Sequence, residues 1–111
     1  MVTMVLSHAE FLSQLGSKFK LRFDDGPVAE LEISEVSELR VLSGQETYSV
    51  VLRGPTSFLL PQRTYHLQHS EFGEVDIFLV PIKQDKDGVY YEAIFSRLVV
   101  AEQSSKRLSS D

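Results

Sequence analysis

The chain contains no cysteine and no tryptophan. Without thiols there can be no disulfide, no thiolate nucleophile and no cysteine-based zinc site. Long apolar runs are also missing. No stretch approaches the roughly 18 residues of a membrane-spanning helix. The opening, MVTMVLSHAEFLSQLG, has no basic n-region and only a short apolar stretch before Ser7 and His8. A secretory leader is therefore not expected, and a cytoplasmic location is. Lysine and arginine are sparse and scattered, with Lys106-Arg107 the one basic doublet, and the net charge is −5. That balance disfavours a general phosphate-binding field and hence nucleic acid. Glycine is scarce as well. The six glycines stand singly where elements end, which leaves no phosphate-cradling loop. There is no Gly-x-Ser-x-Gly elbow and no His-Glu-x-x-His pair, so neither an enzyme nor a cofactor is expected.

What is present is ordinary globular material. Of 111 residues, 42% are hydrophobic and 24% charged, which fits one folded domain rather than a disordered chain. Seven phenylalanines and four tyrosines can fill its core. Ser7 with Glu10 three residues on has the spacing of a capping box, and Gly16 can close what it opens. The pattern predicts a helix over about 7–15, with Phe11, Leu12 and Leu15 as its apolar stripe.

From Ser17 the period becomes two. Phe19, Leu21 and Phe23 alternate with Lys18, Lys20 and Arg22. After Asp24-Asp25-Gly26, Ala29, Leu31 and Ile33 alternate with Glu30, Glu32 and Ser34. A three-residue loop sets Leu21 opposite Ala29 and Phe19 opposite Leu31, keeping one face apolar. Opposite charges then meet across the strands on the other face. A third strand covers Tyr48 to Arg53 and stops at Gly54-Pro55. Residues 55–61 read as a loop with Phe58, Leu59 and Leu60 turned inward. Pro61 precedes a fourth strand, Thr64 to His69. A turn at Glu71-Phe72-Gly73 would place Tyr65 opposite Leu79, Leu67 opposite Ile77 and His66 opposite Phe78. Val75 to Lys83 is apolar on both faces, Asp85 to Gly88 is a hairpin turn, and Val89 to about Arg97 is the last strand. The expected fold is all-β, a small antiparallel β-barrel or β-sandwich of about six strands with one short N-terminal helix. It forms a single domain over 1–100, with a flexible polar tail over 101–111.

Three segments, "LRGP" (52–55), "LLPQRTYHLQHSEFGEVDIFLVPI" (59–82) and "YYEAIFSRL" (90–98), resemble a family of small bacterial all-β domains of unknown function. The helix-glycine-strand opening "FLSQLGSKFKLRF" resembles the same family, so the likeness spans about residues 9–97. It brings no activity with it. It implies a structural or accessory role, of the kind that accompanies phage-tail-like or fibre-like assemblies.

His66 and His69 are three apart, so a strand sends them to opposite faces and one metal cannot take both. No metal site is expected, and hydrogen bonding to the hairpin backbone is the expectation for His69. Asp85, Asp87 and Gly88 lack the spacing of a calcium loop and are read as a turn. Arg53 stands beside the Gly54-Pro55 turn, and Glu92 lies in an otherwise apolar strand. Each needs a partner if buried, and an Arg53–Glu92 ion pair is the expectation. Phe72, Tyr90, Tyr91 and Phe58 could form an aromatic patch at one end of the sheet. The charges near it are acidic, which favours a protein partner or a second copy over nucleic acid. Arg53, Phe72, Tyr90 and Glu92 are therefore the candidate contacts of a non-enzymatic interaction or assembly module. The alternative is a small-molecule-binding barrel with Arg53, Tyr65 and Glu92 lining its pocket.

Overall fold

The computed structural model describes residues 6–23, 26 and 28–98. The tail expected over 101–111, and Asp24 and Asp25 of the first turn, lie outside the described residues. The elements are α1 (His8–Ser13), β1 (Lys18–Arg22), β2 (Val28–Val36), β3 (Arg40–Leu42), β4 (Gln45–Gly54), β5 (Arg63–His69), β6 (Gly73–Asp85) and β7 (Gly88–Leu98). Six strands close into an antiparallel barrel in the order β1-β2-β4-β7-β6-β5, and β5 returns to β1. The architecture is thus a barrel, and β3 is a seventh strand that lengthens the edge of β4 beyond it. The predicted strands missed β3, because Val36 to Val41 shows no clean alternation.

The capping box forms as its residues predict. Ser7 Oγ accepts the Glu10 amide at 3.0 Å, and Glu10 Oε1 accepts the Ser7 amide at 2.7 Å. The helix is shorter than 7–15, however. Only Phe11 is fully buried in it, while Leu12 and Leu15 are exposed. Phe11 closes one end of the barrel, against Tyr48, Phe72 and Phe95. Tyr48 reinforces this end by donating to the Leu6 carbonyl at 2.7 Å, and burial pushes its hydroxyl pKa up to about 12.

The β1–β2 register is the predicted one, with Leu21 opposite Ala29 and Phe19 opposite Leu31. The β5–β6 register is not. Tyr65 faces Ile77, Leu67 faces Val75 and His66 faces Asp76, a slip of two residues. The loop is Ser70-Glu71-Phe72, and Gly73 already pairs with His69 at φ +76, a conformation that favours glycine. Because side chains alternate with period two, a slip of two keeps Ile77 and Leu79 inside.

The barrel interior holds large side chains from every wall strand, including Phe19, Leu31, Leu52, Leu67, Leu79 and Tyr91. In the 55–61 loop only Leu60 is fully buried; Phe58 is half-buried and Leu59 is exposed, so the loop turns inward less than expected. The Leu60 amide donates to the Tyr91 hydroxyl at 3.0 Å, which ties this loop over the end opposite α1. Gly54 is a close-approach glycine. A Cβ there would lie 2.6 Å from Leu31 Cδ2, inside contact distance.

Candidate interaction surface

Strand parity sorts the candidate residues, because residues at even spacing share a face of the wall. On β4, Val50 and Leu52 are buried, so Arg53 points outward. On β7, Tyr91 and Ala93 are buried, so Tyr90, Glu92 and Ile94 point outward. Arg53 and Glu92 thus cannot line an interior pocket with the inward-facing Tyr65. That corrects the pocket proposed for a ligand-binding barrel.

The expected Arg53–Glu92 pair does not form. Across the β4–β7 ladder Glu92 faces Val51, while Arg53 faces Tyr90. Arg53 faces Glu32 across the β2–β4 ladder and forms its ion pair there. The hydrogen bond to Glu32 raises the guanidinium pKa further. Lys18 and Glu30 form a second, exposed pair at 3.6 Å beside it. These rows border an open groove of about 790 Å³ on the outside of the barrel, where the two signs of charge largely cancel.

The predicted aromatic patch is also dispersed. Phe72 packs on Phe11 and Phe19 and stacks on His69, with ring centroids 4.4 Å apart. Tyr91 is fully buried, Phe58 meets Phe23 at 5.5 Å, and Tyr90 lies outside under the Lys83 ammonium at 4.7 Å.

The histidines divide as their spacing predicts. His69 is 5% exposed. Its Nδ1 accepts the amides of Glu71 and Phe72 at 2.9 and 3.3 Å. That assigns the proton to Nε2, which donates to Ser17 Oγ at 2.7 Å, and Ser17 donates onward to the Gln14 carbonyl. Burial lowers the His69 pKa. His66 is outside, 2.7 Å from both Asp76 Oδ1 and Glu74 Oε1, and these two hydrogen bonds raise its pKa. Among the described residues no group of three or more His, Cys, Asp or Glu could hold a metal ion.

The feature that the sequence reading missed is an apolar panel on the outer wall. Phe78 and Ile94 are 49% and 67% exposed, and Val80 and Val51 are half-buried beside them. Glu92 sits at its centre. In one row across the sheet, Val80 faces Glu92 and Glu92 faces Val51. The two-faced character of β6 was visible in the sequence. The neighbourhood of Glu92 was not, because it depends on pairing between strands distant in the chain.

A model of a family described as a domain of unknown function, DUF6916, matches residues 6–95. The chain therefore belongs to that family. Neither the curated proteins nor the solved structures gave a match.

Proposed function

We propose that this member of the DUF6916 family is a non-enzymatic docking module that engages a protein partner through the outside of its barrel. The observation that carries the reading is the outward apolar panel, with Phe78 about half and Ile94 two-thirds exposed on strands whose inward residues already supply a packed core. A folded domain of this size has no structural need for such side chains in water, and clustered exposed apolar surface marks contact sites. Arg53, Phe72 and Tyr90 have intramolecular roles, so of the four candidate contacts Glu92 is the one this panel retains. An accessory place in a tail-like or fibre-like assembly is the form of this reading that the family resemblance suggests.

The test is photo-crosslinking in the source cell. A photoreactive side chain at position 94 should give a discrete protein adduct, and one at position 20, outward on β1 across the barrel from the panel, should not. Absence of adducts from position 94 would overturn the reading.

A further inference from the structure

We infer that the panel around Glu92 recognises a partner segment in which a lysine or arginine is framed by apolar residues. The inference rests on the docking reading and specifies its partner.

Its starting point is the mismatch between Glu92 and its neighbours. Across the strands Glu92 has Val80 on one side and Val51 on the other; two positions along β7 stand Ile94 and Tyr90. Cross-strand neighbours lie about 5 Å apart and same-face neighbours along a strand about 7 Å, so the half-buried Glu92 side chain is framed chiefly by hydrocarbon. Among the described residues no ion pair reaches it. The nearby cations are engaged elsewhere: Arg53 with Glu32, and Lys83 over the Tyr90 ring. Covering the panel with a purely apolar partner would strip water from Glu92 and leave its charge uncompensated, which is strongly unfavourable. A partner that brings a cation to this point gains apolar burial and a charge-assisted hydrogen bond together.

The same carboxylate argues against the other occupants. In a two-fold contact each copy presents the same patch, so Glu92 would meet a surface whose own central charge is negative. An anionic membrane would meet both that carboxylate and a chain of net charge −5. A basic-apolar protein segment is the occupant whose charge complements the panel.

The experiment uses the full chain against a displayed library of short segments with a fixed leucine-valine frame and a randomised central residue. The wild-type chain should enrich arginine and lysine centres over alanine and glutamate centres by about tenfold, the size of one favourable charge pair. Glu92→Lys should invert the preference toward acidic centres. Glu92→Gln, close in shape to the native residue, should abolish it, and Ile94→Ser should weaken retention of every segment. Circular dichroism confirms that each variant is folded. Equal enrichment of all centres, or a preference unchanged in Glu92→Gln, overturns the assignment while leaving docking itself standing. A concentration-dependent dimer abolished by Ile94→Ser overturns it in favour of a second copy. Binding of the wild-type chain to phosphatidylserine vesicles, abolished by Ile94→Ser, overturns it in favour of a membrane.

Discussion

The inner and outer faces of this barrel wall are made from alternate residues of the same strands, and β5 shows how far their chemistry diverges. His69 on the inner face is buried, neutral and held between the hairpin amides and Ser17. His66 on the outer face, three residues earlier, is exposed between Glu74 and Asp76. Phe11, which plugs the barrel end from α1, and Ile94 on the outer wall extend the contrast to apolar residues: one is sealed among aromatic rings, the other faces water. The difference teaches where to look for function. Inner residues are explained by the fold that they hold together. Among the described outer residues, those in ion pairs are explained by their partners, while Phe78 and Ile94 beside Glu92 stay exposed.

The largest test of this contrast removes the plug. Phe11→Ala deletes a fully buried ring that joins α1 to the barrel, and should cost about 3–5 kcal/mol in urea unfolding. A loss as small as that of a surface substitution would show that the helix does not seal the end.

A smaller effect is expected from the two histidines, which titrate with opposite signs. The lowered pKa of His69 means that the unfolded chain takes up its proton more readily than the native one. Its stabilisation is present above the ordinary value of 6.5 and is lost as pH falls below it. The raised pKa of His66 has the reverse consequence. Its stabilisation is present below 6.5 and is lost as pH rises through the higher folded value. Unfolding measured from about pH 5 to 8 checks both. His69→Leu leaves the two loop amides and the Ser17 hydroxyl with one partner fewer, and should cost about 1–3 kcal/mol while flattening the acid side of the profile. His66→Ala should flatten the alkaline side with a much smaller overall loss, because both of its partners are solvated. Equal losses for the two variants would erase the distinction between the faces.

Much of the inner face could be read from the sequence, and the reason is local. The capping box of Ser7 and Glu10, the period-two runs of β1 and β2 and the parity of His66 and His69 all depend on residues close in the chain. The β1–β2 register followed because one choice alone kept Leu21 and Phe19 opposite apolar partners. The β5–β6 register could not be read the same way. Two registers that differ by two residues keep the same faces, and the choice lay with His69 capturing the loop amides and Gly73 taking positive φ. The outer face was the least legible. Arg53 finds Glu32, and Glu92 finds Val51 and Val80, through pairings of β4 with β2 and of β7 with β4 and β6 that no local pattern encodes.

The central claim is that the outer panel serves a partner and not the fold, and one paired measurement on Phe78→Ser/Ile94→Ser addresses it. Thermal unfolding of the variant should stay close to that of the wild-type chain, while its photo-crosslinked adduct in the source cell, formed from a photoreactive residue at position 80, is lost. A variant that unfolds at much lower temperature, or one that keeps the adduct at full yield, would contradict the account.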